Sequence, residues 1–163
     1  QQLSGAASRT IFNRLETLMG GRISSETAIE TNDQIYYEAG ISRAKTSFIK
    51  NVGEVEQTNP KFFRELAGMT NEEIHKRLTR IKGIGDWSAR IFLIFHLGRS
   101  DVFAFGDATV MKAIKILYSD HDLSSNALLE EFVSRWSPYK SAACLLMWKW
   151  VDHGMPTKDT PSR

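Results

Sequence analysis

Two stretches of the 163-residue chain combine residue types and spacing suited to chemistry. In the first, Leu78-Thr79-Arg80-Ile81 leads into Lys82-Gly83-Ile84-Gly85, and Asp86-Trp87-Ser88-Ala89-Arg90 follows. A helical pattern ending near Ile81 and another opening near Asp86 are joined by a Gly-x-Gly turn, where glycine permits positive φ and close approach of another backbone. Free amides at the start of the second helix, with the positive end of its dipole, suit a phosphate. The same residues also make an ordinary tight turn. The second stretch is Asp107, which precedes a helical pattern through Val110, Ala113, Ile114 and Leu117 and is placed to cap it. Transition-metal chemistry is not on offer. A single cysteine, Cys144, rules out an internal disulfide, a four-cysteine zinc site and a four-cysteine iron–sulfur cluster, and His75, His96, His121 and His153 are scattered and read as structural or exposed.

The elements that must position these residues are helical. Leu3, Ala6, Ala7, Thr10, Ile11, Arg14, Leu15 and Leu18 recur at three- and four-residue spacing, and Gly20-Gly21 stops that helix. Ser42 caps a pattern through Ala44, Phe48, Ile49 and Val52, while Thr70 and Glu73 have capping-box spacing ahead of Ile74, Leu78 and Ile81. Ser137-Pro138 reads as an N-cap followed by proline at the first helical position, opening a helix through Trp148 and Val151. Without sustained strand alternation, the expected fold is all-α: a compact bundle of about eight short helices in one domain, residues 1–153, with a polar tail over 154–163. No apolar run approaches the length of a membrane helix, the longest being Ile91-Phe92-Leu93-Ile94-Phe95. The net charge of +2 does not by itself announce a nucleic-acid binder. Its distribution says more: residues 1–70 sum to zero, 71–118 to +3 and 119–163 to −1. A small basic face on a near-neutral body suits a phosphate backbone, and equally a solvated surface.

Ile81, Ile84 and Trp87-Ser88-Ala89 around the glycine turn resemble a helix-hairpin-helix motif. Leu97-Gly98-Arg99-Ser100-Asp101-Val102-Phe103 and Gly106-Asp107 extend the resemblance to the helix-hairpin-helix, Gly/Pro-rich, aspartate superfamily of base-excision DNA glycosylases. Gln1-Gln2-Leu3-Ser4, Gly40-Ile41-Ser42-Arg43-Ala44-Lys45 and Trp136-Ser137-Pro138-Tyr139-Lys140-Ser141, ending in Trp148, are similar to its alkylpurine, 3-methyladenine branch. These blocks run from residue 1 to about 152. The chain opens at Gln1 and reads as a piece that begins part-way through the family's N-terminal region.

The resemblance implies a monofunctional glycosylase that flips an alkylated purine out of double-stranded DNA and hydrolyses its N-glycosidic bond. Asp107 then falls at the catalytic carboxylate, Trp87, Trp148 and Ile91 in the base pocket, and the amides of Gly83, Gly85 and Ser88 at a DNA phosphate. Trp87 stands where bifunctional relatives carry a Schiff-base lysine, which leaves water as the nucleophile. Arg22 or Ile23 corresponds to the loop that wedges into the duplex, and a surface turn is the alternative there. The carbonyls of Thr79, Ile81 and Ile84 correspond to a sodium or potassium site; no cofactor is required and no iron–sulfur cluster is expected. Core packing is the competing role for both pocket tryptophans, and Trp136 and Tyr139 read as structural. Two departures, Gly106 in place of a second acid and Ile91 where an aromatic is common, bear on substrate range. A damage-binding module with reduced catalysis is the alternative function. Damaged duplex DNA is the expected partner, the protein is expected to be monomeric and without membrane contact, and the resemblance places it with the DNA inside the cell.

With few phosphates neutralised by side chains, the slope of log affinity for duplex DNA on log salt should be shallow. Titrations at several ionic strengths check this, and a slope approaching about −10 would place the interface elsewhere.

Overall fold

A computed structural model describes residues 5–154, so Gln1-Gln2-Leu3-Ser4 and the expected tail beyond Gly154 lie outside it. The described residues form ten α-helices, a 3-10 turn and a π-helical turn, with no strand among them. The excess over eight comes from pieces such as Ser25–Glu30 and Phe62–Glu65, too short to carry a readable apolar period. None of these helices is long and apolar enough to cross a membrane. The chain divides into two compact units, Gln1–Gly85 and Asp86–Arg163.

The first unit contains α1 (Gly5–Leu18), α2 (Ser25–Glu30), α3 (Asp33–Ala39), α4 (Arg43–Thr58), α5 (Phe62–Glu65) and α6 (Asn71–Leu78). The expected caps are in place: the Ser42 hydroxyl accepts from the Lys45 amide, and Thr70 and Glu73 bond reciprocally, with the Thr70 amide 2.8 Å from the Glu73 carboxylate. Leu15, Tyr36 and Ala39 form a buried cluster, flanked by Met19, Ile23, Tyr37, Ile41 and Ile49. The Tyr36 hydroxyl donates to the Ala28 carbonyl at 2.5 Å, which ties α3 to α2. Helices α2 and α4 approach closely because position 53 is glycine; a Cβ there would lie 3.0 Å from the Ser25 carbonyl oxygen.

This unit ends on the glycine turn. Helix α6 stops at Leu78, one turn before the apolar pattern does, because Ile81 and Ile84 enter tight turns: Ile81 N–H donates to Leu78 O and Ile84 N–H to Ile81 O, each at 3.0 Å. Two residues of α4 grip the turn from one face, three positions apart. Phe48 packs where a Cβ on Gly83 would stand, and Asn51 Nδ2 donates to the Lys82 carbonyl at 2.8 Å. Only Gly83 uses the left-handed region, at φ 107°. Gly85 does not, and a Cβ there would meet nothing within 4 Å.

The second unit begins with α7 (Asp86–Ile91), which runs into the π turn Phe92–His96, and continues through α8 (Ala108–Leu117), α9 (Asn126–Ser134) and α10 (Lys140–Asp152). Helix α10 packs on α8. Leu93, Phe103, Val110, Ile114, Val133 and Met147 are among the buried apolar residues. Trp136 is structural as expected, its ring within 6 Å of those of Phe103, Tyr118 and Phe132. Tyr139 is exposed instead. The Ser137-Pro138 reading is corrected: α10 opens at Lys140, and the Ser137 hydroxyl donates to Asp101 at 2.6 Å rather than capping the helix.

The two glycines of the turn should respond differently to substitution. Gly83→Ala meets both the Phe48 ring and a positive φ and should cost about 1–3 kcal/mol in urea unfolding, whereas Gly85→Ala should stay within about 1 kcal/mol.

Candidate active site

Asp107 does cap α8, and the cap is only part of its environment. Its Oδ1 accepts from the amides of Thr109 at 3.0 Å and Val110 at 2.9 Å, and from the indole Nε1 of Trp148 at 2.9 Å. Its Oδ2 accepts from the indole Nε1 of Trp87, also at 2.9 Å. The residue is 8% exposed. An indole nitrogen is a donor only, so both tryptophans can meet the carboxylate in no other sense than as donors. All four donors are neutral, and the positive end of α8 adds to them. Oδ2, with one donor against three on Oδ1, keeps acceptor capacity for a further group.

The loop that delivers Asp107 is fastened by one face of α10. Ser141 N–H donates to Ser100 O at 2.9 Å, its hydroxyl donates to Arg99 O at 2.6 Å, and that hydroxyl accepts from Val102 N–H at 3.1 Å. One turn on, the Cys144 sulfur accepts the Ala104 amide at 3.3 Å. A further turn on comes Trp148. Positions 141, 144 and 148 recur at helical spacing, so a single stripe of α10 holds the loop at three heights. At its start, Lys140 Nζ lies 3.2 Å from Asp101 Oδ2. Burial opposes the charge on Asp101, yet the Ser137 and Lys140 hydrogen bonds hold its carboxyl below the usual range. Burial pushes the Cys144 thiol up to about 11, against a partial opposing effect of the Ala104 amide.

Asp107, Trp87 and Trp148 are thus brought together within the second unit. Ile91, the last residue of α7, is half-buried and is not a partner of the carboxylate. Gly83 and Gly85 close the first unit, and Ser88 lies in the first turn of α7 in the second. Of the expected ion-binding carbonyls, that of Ile81 already accepts the Ile84 amide, which leaves it one lone pair. The described residues contain no group of three His, Cys, Asp or Glu able to hold a metal. Ile23 packs against the Leu15, Tyr36 and Ala39 cluster, whereas the adjacent Arg22 is exposed. The sequence reading passed over Ser141, Cys144 as a hydrogen-bond acceptor, and Phe95, whose ring rests against Trp148 with centroids 5.4 Å apart. The i, i+3, i+7 spacing of Ser141, Cys144 and Trp148 was the available signal for the first two.

The chain matches no family profile. It is 30% identical over 152 residues to DNA-3-methyladenine glycosylase 1 of Schizosaccharomyces pombe, covering 91% of this chain and 67% of that protein. Among solved structures, DNA-3-methyladenine glycosidase from Bacillus halodurans superposes with a TM-score of 0.75 at 36% identity, over 92% of this chain and 70% of the other. The Schizosaccharomyces pombe 3-methyladenine DNA glycosylase in complex with abasic DNA gives 0.84 at 28% identity, over 97% and 78%.

The Cys144 environment makes stability depend on alkaline pH. The folded value of about 11 lies above the ordinary 9.0, so the folded protein keeps a proton that the unfolded chain sheds. The contribution is whole below pH 9 and is lost as pH climbs toward 11. Urea unfolding from pH 8 to 11 should therefore show a steeper decline for the wild type than for Cys144→Ala, and parallel curves would contradict the assignment.

Proposed function

The chain belongs to the DNA-3-methyladenine glycosylase family of helix-hairpin-helix base-excision enzymes, and from that premise we propose that it releases alkylated purines from duplex DNA by hydrolysis, with Asp107 as the catalytic carboxylate. The observation that carries the reading is the hydrogen-bonding of Asp107: a nearly buried carboxylate that accepts from four neutral N–H donors, two of them from tryptophans. A structural cap needs the two amides only.

The chemistry follows from the charge. A purine alkylated at N3 or N7 is already cationic, so its C1′–N9 bond breaks with the electron pair moving to the base, which leaves neutral without a general acid. The sugar left behind is oxocarbenium-like. Asp107, unpaired with any cation through these four bonds, stabilises it and accepts a proton from the water that bonds to C1′. The products are the free base and an abasic site, the kind of DNA bound in the Schizosaccharomyces pombe structure. Trp87 in place of a lysine removes the amine that strand cleavage through a Schiff base would use.

The tryptophans serve twice in this reading. Their Nε1 atoms fix the carboxylate, and their ring faces line the site for the flipped cationic base. The amides of Gly83, Gly85 and Ser88 hold a backbone phosphate. The bare Cα of Gly85, with nothing of the protein within 4 Å of a Cβ position, supports such an approach. A sodium or potassium ion on the carbonyls of Thr79, Ile81 and Ile84 would add positive charge beside that phosphate, and the spare lone pair of Ile81 is compatible with it. Of the two wedge candidates, the exposure of Arg22 favours it over Ile23. Double-stranded DNA carrying alkylated bases is the partner, bound by a monomer.

Asp107→Asn tests this. Asn keeps Oδ1 as an acceptor for the cap and for Trp148, but its amide NH2 would face the Trp87 N–H, donor against donor. The variant should lose about 1–3 kcal/mol of stability from the unpaired donor and release bases from methylated DNA at least ~100-fold more slowly, while still binding duplex DNA. Release at the wild-type rate would reduce Asp107 to a cap. A wild-type chain that binds methylated DNA and releases no base would be the damage-binding module instead.

A further inference from the structure

We infer that Asn51 is a positioning residue for DNA binding: its side-chain amide selects the peptide orientation that turns the Gly83 N–H outward to a backbone phosphate. This inference rests on the phosphate contact proposed for Gly83 above.

The Ile84 amide donates to the Ile81 carbonyl, which makes Lys82 and Gly83 the two central residues of a four-residue turn. A left-handed φ at the third position, 107° at Gly83, is the mark of a type II turn. Types I and II differ by a flip of the central peptide, here the one that joins Lys82 to Gly83. Glycine permits both forms, so residue type at position 83 does not decide between them. Helix α4 does. Phe48 occupies the space beside the Gly83 Cα, and Asn51 Nδ2 donates to the Lys82 carbonyl at 2.8 Å from 31 positions away.

In a planar trans peptide the C=O and N–H bonds point in opposite directions. A Lys82 carbonyl drawn onto α4 therefore sends the Gly83 N–H away from α4. Gly83 is exposed, and among the described residues its amide donates to no acceptor, whereas the Ile84 amide is consumed within the turn. An exposed donor already held in one orientation binds an anion at little further cost in ordering. Without the Asn51 bond the peptide is free to flip. The N–H is then presented for only part of the time, and binding weakens in proportion.

Asn51→Leu keeps the shape of the side chain and removes the donor. Wild type and variant are titrated with an undamaged duplex at several salt concentrations, and their glycine amides are followed by heteronuclear NMR. Affinity should fall about tenfold, the scale of one hydrogen bond to a charged group. The slope of log affinity on log salt should not change, because an amide has no net charge with which to displace counterions. On adding duplex, the Gly83 amide proton should move downfield in wild type and much less in the variant. With methylated duplex, the loss should appear in KM rather than in kcat. Unchanged affinity, a Gly83 signal that responds equally in both proteins, or a loss of affinity that accompanies unfolding in the NMR spectrum would each overturn the assignment. A wild type that binds duplex with the Gly83 signal unmoved would overturn the phosphate contact and this inference with it. A wild type that releases no base would overturn the functional reading, an outcome distinct from an active wild type indifferent to Asn51.

Discussion

A carboxylate at 8% exposure, with no ion pair to it among the described residues, is the constraint on which the second unit is built. Such a charge is tolerated only when enough donors replace water. Here the start of α8 gives two amides, α7 gives the Trp87 indole, and α10 gives the Trp148 indole. Three helices are therefore committed to one side chain. An arginine or lysine in place of either tryptophan would solve the desolvation problem more strongly and, in the proposed reading, would also neutralise the charge that a developing sugar cation needs. Neutral donors satisfy the burial and preserve the chemistry.

That arrangement demands accuracy in the loop before Asp107, and the accuracy comes from α10. Ser141 fixes residues 99–102, Cys144 fixes Ala104, and Trp148 fixes the carboxylate, in order along one stripe. The sulfur is a weak acceptor, but as a small apolar group it fits a fully buried position, and burial keeps its proton on. Cys144 is thus a packing and positioning residue. Its alkaline pKa follows from that role and does not mark a nucleophile.

How far the sequence could be read follows the range of the interactions. The caps at Ser42, Thr70 and Asp107 and the opening of α7 at Asp86 depend on residues within one turn, and all were legible. The opening of α10 was not, because Ser137 bonds to Asp101, 36 positions away, and long-range partners leave no local trace. The surroundings of Asp107 were half legible: the resemblance singled out Trp87 and Trp148, while their hydrogen bonds to Asp107 bridge 20 and 41 positions. Similarly, the two glycines of the turn look alike in sequence. Only the ring of Phe48, brought in from α4, separates the one that must be glycine for the fold from the one that is bare.

The modest charge of the chain fits this chemistry. A side-chain cation that grips a phosphate is mobile, and one within reach of Asp107 would pair with it and quench it. Backbone amides in a turn hold an anion through fixed dipoles and cannot swing away to another partner. A turn pinned by Phe48 at Gly83 and by Asn51 at the Lys82 carbonyl keeps its amides in a set geometry. In the proposed reading, gripping the backbone with amides would allow a net charge of only +2, and it would keep the binding of a polyanion from interfering with the charge of Asp107.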